Sequence, residues 1–583
     1  MKPKRTAILL IIFIATSLLT QYSRSSKQDK QKENQNNPTI KEERRRHHTY
    51  KRQVQSIETE KPKTPKGIEE ILETKQIHKA KDEDTAKIGP LSTRAPSSWY
   101  MIINKPGYYE LTQDIINCTK ECGIYINASN VILDGKGHIV DGVEEYPSKY
   151  GIYVDHAENI TIKNVTIQEW YYDGIYLYDS SNNTIADNTI QNNWDGIYLY
   201  DSSNNTIADN TIQNNYYGDG IYLDCSSGNT IADNTFVHNG LFVWDSYGNN
   251  VTNNTVNGKP LVYLEEKENI TIDVGAGQIV LVRCKNITIE GQNISYTDTG
   301  IELWETNKTT IRNNTIQSNN WDGIYLWDSS GNTIADNTIQ NNRYRDGIYL
   351  RDSSNNTIAD NTIQSNNWDG IWLDRSSGNT IANNTIQSNN WEGIYLCDSS
   401  NNTIANNTIQ NNDRYGIWLC GSSNNTVYLN NFINNTHQYY ITGCSRSTFH
   451  SPQPITYVYA GNTYTNYTGN YWSGYNGTDK NGDGIGDQPY GPDQYPLIGI
   501  VKIENGQTII TTPPTITITN PQNATTTNQT ITTIKWSATD SDNDIDHYEL
   551  YVDGSPVNTS IPPDQNNYTI TLTEGTHTIT VRA

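Results

Sequence analysis

From Ser98 onward, apolar residues recur at every second position in short runs, not at the three-to-four spacing of a helix. Runs such as I-Y-L-Y and N-T-I are strand patterns, and a unit reading D-G-I-Y-L-Y-D-S-S-N-N-T-I-A-D-N-T-I-Q-N-N-W returns almost verbatim. Its glycine falls at Gly151, Gly174, Gly196 and Gly220, then at Gly300, Gly323, Gly347, Gly370, Gly393 and Gly416. A fixed period of roughly 23 residues signals a solenoid. Leucine is scarce, proline is absent from the units and no helical stripe appears, so leucine-rich and ankyrin-like repeats are disfavoured. Three short strands per coil predict an all-β parallel β-helix.

The pleat assigns the residues. With the glycine as position zero, Ile at +1 and Leu at +3 point inward, as in Ile324 and Leu326. Tyr or Trp at +2 points outward and makes one row, which includes Tyr198, Tyr325, Trp372 and Tyr395. Asn188, Asn210, Asn337, Asn361 and Asn384 recur at a turn, where stacked amides can bond from coil to coil. Residues 105–143 read as a coil that caps the open end, and 240–299 as altered coils of the same stack. The β-helix with its caps spans 98–500 as one stack of about 14 turns. Residues 513–583 alternate strictly, hold Trp536 and read as a small fibronectin- or immunoglobulin-like sandwich. That sandwich is shorter than the usual ~100 residues and looks truncated.

Three segments carry a resemblance. LDGKGH, GQIVLVRCKNITIEGQNIS and the repeated N-x-I…G-I-x-L units resemble the periplasmic copper-binding NosD-type family. The resemblance implies a right-handed β-helix over roughly 100–500 and belongs to the repeat class shared by carbohydrate-binding proteins and sugar hydrolases. It also implies the segment NYWSGYNGTDKNGDGIGDQPYGPDQYPL as a C-terminal cap. The family name by itself implies a copper-accessory role.

Charge changes the picture of the ends. The chain carries −22, and residues 98–583 alone carry −31. Such an acidic body excludes nucleic acid as the main partner and favours sugars or divalent cations. Residues 1–23 place Lys2, Lys4 and Arg5 before the apolar run from Ala7 to Leu19, a signal peptide or signal anchor. The chain is therefore expected to be exported, to the cell surface or outside the cell, and to meet a membrane only through this segment. Residues 24–97 are a charged spacer of disordered composition, in which the run from Arg44 to His48 reads as solvated.

Candidate chemistry concentrates on one face. Position −1 is acidic in Asp195, Asp322, Asp369 and Glu392, and position −2 aromatic in Trp194, Trp321, Trp368 and Trp391. With the +2 row these form acids flanked by two aromatic rails, a surface suited to a polysaccharide; the bland alternative is a ladder that staples strands. Carboxylates on neighbouring coils fall about 5 Å apart automatically, so the retaining-glycosidase distance is no evidence of catalysis here. Asp155-His156 is the best off-pattern pair, and no catalytic residue is assigned.

Asp479, Asn481, Asp483, Ile485 and Asp487 match the first half of an EF-hand-type loop, with the Ile485 carbonyl as one ligand, and predict Ca²⁺. Position 12 of that loop is Tyr490 and not Glu. Copper is disfavoured, because Met is limited to Met1 and Met101 and no His ladder exists. Cys397, Cys420 and Cys444 are expected to share one coil phase and to supply one disulfide, and Cys118–Cys122 a second. Asn-x-Ser/Thr sequons, among them Asn159, Asn182, Asn355, Asn466 and Asn567, suit a surface glycoprotein. The leading expectation is a non-catalytic envelope protein that binds polysaccharide or surface partners. A polysaccharide-active hydrolase, lyase or epimerase is the alternative, and a copper-accessory protein the third.

Overall fold

The computed structural model describes residues 85–88 and 99–582, except 216–217, 512–514, 523–529, 540–544, 546 and 574. The apolar leader, most of the spacer and the basic run at Arg44–His48 lie outside these residues. No helix among the described residues is long and apolar enough to cross a membrane.

Each repeat folds as one coil of three strands, for example Ile324–Trp327, Thr333–Ala335 and Thr338–Gln340. Successive coils pair in parallel and in register, Ile324 opposite Ile348 and Leu326 opposite Leu350. The inward Ile and Leu side chains have no exposed surface. This narrow core explains how 34% apolar residues suffice.

The turns need special residues. Asp336 (φ 58°), Asn355 (φ 58°) and Asn341 (φ 58°) sit in the left-handed region, which Asn and Asp tolerate better than other side chains. Inside the turns, buried asparagines bond from coil to coil. The Asn337 backbone N–H and side-chain amide both donate to Asn361 Oδ1, at 3.0 and 2.9 Å. Ser329, Ser353 and Ser376 form a parallel ladder in which each backbone N–H donates to the next hydroxyl. The repeat glycines are fixed by packing: a Cβ on Gly347 would lie 2.5 Å from Ile363 and 2.6 Å from the Gly370 carbonyl.

The expected single stack is in fact two. At Asn257-Gly258 (φ 52° and 77°) the chain reverses in a hairpin, and Thr255–Val256 pairs antiparallel with Lys259–Glu265. Asn-Gly is the strongest short hairpin signal, because both positions take positive φ. The strands beyond it continue one 15-stranded sheet that runs through both stacks. With strand direction reversed, the second core forms on the other face of that sheet. Strand Gln278–Val282 shows both faces at once: Ile279 and Leu281 join the second core, Val280 and Val282 the first.

The reversal leaves strand Leu241–Trp244 at the edge of the first stack's main sheet. Its free amides are capped by the second stack. Leu241 N donates to Gln278 Oε1 (2.9 Å) and Val243 N to Glu302 Oε1 (3.2 Å). Gly220 N, Gly240 N and Asn239 Nδ2 converge on the Asp298 carboxylate at 2.8, 2.7 and 3.2 Å. Capping of this kind removes an edge that would otherwise recruit another strand.

After the second stack, Ile455–Tyr459, Asn462–Asn466, Val501–Glu504 and Gln507–Ile510 make a four-stranded sheet. Residues 515–582 form two three-stranded sheets around Ile534, Trp536, Leu550 and Ile561, the expected small sandwich.

Candidate functional site

The +2 side chains form one continuous column of rings. In the first stack Tyr153, Tyr176, Tyr198 and Tyr222 follow one another at 5.1, 5.2 and 4.7 Å between centroids. Phe242 carries the column across the junction to Tyr325 at 5.8 Å. Tyr349, Trp372, Tyr395 and Trp418 extend it at 5.2, 4.4, 5.7 and 4.7 Å. Rings stacked on each other spend their faces on their neighbours. Where the column is half-buried, it offers solvent ring edges.

The two stacks present this column differently. Tyr153, Tyr176, Tyr198 and Tyr222 are half-buried. Tyr325, Tyr349, Trp372 and Tyr395 are 1–5% exposed and form a cluster of their own with Trp368. Thus the residues expected on an open rail in the second stack are buried. Tyr198 also donates to Asp224 at 2.9 Å, and Tyr178 stacks on Tyr200 at 5.5 Å beside it. Asp179, Asp201 and Asp245 line the exposed turn next to this tyrosine face.

The acids at position −1 do not form an open row of ligands. Asp322, Asp369 and Glu392 are buried, and their row is knitted along the stack. Asp346 N donates to Asp322 Oδ1 (3.1 Å), Asp369 N to Asp346 Oδ1 (2.7 Å) and Glu392 N to Asp369 Oδ1 (2.8 Å). Asp195 takes the backbone N–H of Asp219 in the same way. Burial pushes the Asp195 carboxyl up to about 7, and burial with the neighbouring Glu392 and Asp346 raises Asp369 well above the usual range. These carboxyls therefore act first as caps for backbone amides.

Position −2 holds more than aromatics. Arg345 lies 4.9 Å from the Trp321 ring and 5.6 Å from Trp368. Trp368 stacks on Trp391 at 5.2 Å, and Arg414 lies 4.8 Å from Trp391. Tyr172 and Trp194 are half-exposed members of this position in the first stack. Sequence reading missed the arginines because it sought aromatics alone, although Arg345 and Arg414 stand two residues before their repeat glycines. It also passed over Asp298 and Glu302, whose signal was the off-pattern T-D-T-G-I-E-L.

The Asp479–Asp487 loop closes on its own amides. Asp479 Oδ1 accepts from Gly482 N (2.7 Å) and Asp483 N (3.2 Å), and Oδ2 from Gly484 N (2.8 Å). Asp483 Oδ1 accepts from Ile485 N, and Asp487 Oδ2 from Lys480 N, both at 3.0 Å. Asn481 donates to Asp483 Oδ2 at 3.0 Å. Among the described residues no three His, Cys, Asp or Glu side chains are placed to share one ion. The donor set is all oxygen and suits a hard cation. The aspartates at 540, 542, 544 and 546, a weaker calcium candidate, lie outside the described residues.

All seven cysteines are free thiols, which corrects both expected bridges. The Cys118 backbone N–H donates to the Asp141 carbonyl at 2.9 Å, whereas Cys122 lies in a strand opposite Tyr150. Cys397 does face Cys420 across two parallel strands. Cys420 faces Thr442, however, and Cys444 falls two residues later, where it takes the N–H of Ser422 in the serine ladder. Among the described residues no cluster of ligating side chains suits copper. Burial, then the adjacent Cys420, pushes the Cys397 thiol up to about 12, and Met101 is a core residue.

Residues 261–477 match the family model described as periplasmic copper-binding protein (NosD). The matched stretch lies over the second stack. Residues 122–272 match a right-handed β-helix region, and 514–581 a bacterial Ig domain. No match was found among curated proteins. Among solved structures, the periplasmic alginate epimerase AlgG is 13% identical (TM-score 0.25), covering 56% of this chain and 76% of its own. An alginate lyase from Paenibacillus is 13% identical (TM-score 0.21; 59% and 91% covered). The Dettilon tailspike protein is 14% identical (TM-score 0.22; 64% and 68% covered).

Proposed function

We propose that this NosD-type β-helix protein is exported and serves as a non-catalytic binder of polysaccharide or envelope partners. Its surface for this is the half-buried tyrosine column of the first stack. The observation that carries the reading is the division of labour on that face. The Asp195 carboxyl is spent on a backbone amide, while the half-buried Tyr153 and Tyr176 rings and the exposed Asp179 and Asp245 carboxylates stand at the surface. The buried −1 row offers its oxygens to the next coil, so it cannot supply the carboxylate that a hydrolase or lyase needs within reach of substrate.

The test is affinity electrophoresis of the protein in gels cast with single polysaccharides, read beside an assay for reducing ends. The expected result is retention by a polysaccharide without product release. Paired Tyr153→Phe and Tyr176→Phe substitutions keep the stacked rings and remove two hydroxyls. They should weaken binding about thirtyfold, since two net hydrogen bonds contribute ~2 kcal/mol. Release of reducing ends or unsaturated sugars by the unaltered protein would reject the non-catalytic reading.

A second proposal concerns the Asp479 loop, on the observation that three consecutive amides already wrap its first carboxylate. Calcium bound there would tie the C-terminal cap through Tyr464 and Tyr457, which donate to the Gly482 and Asp483 carbonyls at 2.7 Å. Melting temperature is expected to rise by several degrees when millimolar Ca²⁺ replaces EDTA, and Asp483→Ala should abolish the difference. Equal melting temperatures for the unaltered protein in the two buffers would reject calcium.

A further inference from the structure

The turn after the first strand of each coil reads Ser-Ser-Asn-Asn-Thr or Ser-Ser-Gly-Asn-Thr in most repeats. The fold gives the two asparagines opposite environments. The second is buried and bonds along the stack, as where Asn183 N donates to Asn205 Oδ1 and Asn356 N to Asn379 Oδ1, both at 2.8 Å. The first is exposed at Asn182, Asn204, Asn355, Asn401 and Asn424, with φ between 56° and 61°. None of these five side-chain amides donates a hydrogen bond among the described residues.

The sequon register picks out the exposed residue. Asn355 stands two residues before Thr357, which begins the next strand, whereas the buried Asn356 is followed at that distance by Ile358. The repeat thus pairs each buried structural amide with an exposed amide that meets the N-x-Thr requirement. Space around the amide is also provided. A Cβ at Gly378, the equivalent position one coil on, would lie 2.7 Å from Asn355 Oδ1, and one at Gly228 would lie 2.6 Å from Asn204 Oδ1. Thr357, Thr380 and Thr403 are register partners, so Asn355 and Asn401 are two coils apart, or about 10 Å. Asn182 and Asn204 stand on adjacent coils, only ~5 Å apart.

We propose that this turn row is a glycan-bearing edge, with Asn355 as a principal acceptor. The inference rests on the exported reading above. The donor is an oligosaccharide linked to a lipid diphosphate. Transfer forms a bond from sugar C1 to the Asn Nδ2 and breaks the C1–oxygen bond to phosphate. The lipid diphosphate leaves, and the amide proton passes to base. Glycine in the neighbouring slots at Gly331 and Gly378 keeps the sugar on Asn355 clear of a second one. On adjacent coils the spacing is narrower than a pyranose ring, so Asn182 and Asn204 share at most one glycan per molecule.

The experiment is glycopeptide mass spectrometry on the full chain isolated from the envelope fraction of its own cells. The expected result is a sugar adduct on Asn355 in most molecules and none doubly modified at Asn182 and Asn204. Thr357→Val keeps the branched shape of the strand and should remove the adduct, while Thr357→Ser should retain it. An unmodified Asn355 in exported protein would overturn the inference and leave the exported reading standing. A chain found only in the cytoplasm would overturn both.

Discussion

Asn361→Ala is expected to melt the second stack locally, at a cost on the order of 3–5 kcal/mol. Asn361 is almost wholly buried and holds three layers together. Its Oδ1 accepts from the Asn337 N–H and amide, and its Nδ2 donates to the Ile334 and Ala359 carbonyls at 2.8 and 2.9 Å. Alanine leaves these groups buried with a partner removed, and each unmet group costs about 1–3 kcal/mol. Because a coil touches only its neighbours, the damage should stay near residues 334–386. Hydrogen exchange should therefore accelerate there and remain unchanged in the first stack, at Ile152–Ile231. Asn361→Asp, which keeps the acceptor and loses the donor, should fall between the two. An unchanged exchange pattern in the alanine variant would rule out the ladder as a source of stability.

Acid should stabilise the junction of the two stacks. Burial pushes the Asp298 carboxyl up to about 7, against the pull of its three N–H donors in the opposite direction. Burial likewise raises Glu302 and Asp219 well above the usual carboxylate range; the Asp298 charge adds to both, against the Val243 N–H that pulls Glu302 down. A raised carboxyl favours the folded state while it keeps its proton. That contribution is complete below the unfolded value near 4 and is lost as pH rises through about 7. The window is thus roughly pH 4 to 7, and for Asp298 alone the loss is a few kcal/mol in order of magnitude. Melting temperature should fall across this window and level off above it. Asp298→Asn removes the titration and should flatten the slope, even if it lowers stability at every pH by setting an amide against three donors. A melting temperature that rises from pH 4 to 7 would contradict the assignment.

These two effects differ in how far the sequence disclosed them. The asparagine ladder was visible as a recurrence at fixed period, since a repeat forces equivalent residues into equivalent places. The same logic placed the inward Ile and Leu residues, the aromatic column and the sandwich around Trp536. It failed for the cysteines. Spacings of 23 and 24 looked equivalent, yet the last coil advances only from Cys420 to Thr442, one residue short of the period, so Cys444 falls two residues out of phase with Cys420. A period constrains phase only where the coil length is constant.

What the sequence determined by itself is the coil: its three strands, its interior, its turns and the residues that stack. Local alternation and turn chemistry suffice for these, because each is settled within a coil and its neighbour. What the tertiary structure decided is everything that depends on where coils meet something other than their own repeat. The Asn257-Gly258 hairpin reverses strand direction, which sets two cores on opposite faces of one sheet. That reversal creates an open edge, and the edge calls for Gln278, Asp298 and Glu302. The same packing separates a half-buried tyrosine face in the first stack from a buried one in the second. Acids that read as a ligand row became backbone caps, since a carboxyl removed from water must find donors, and the nearest are the amides of the next coil.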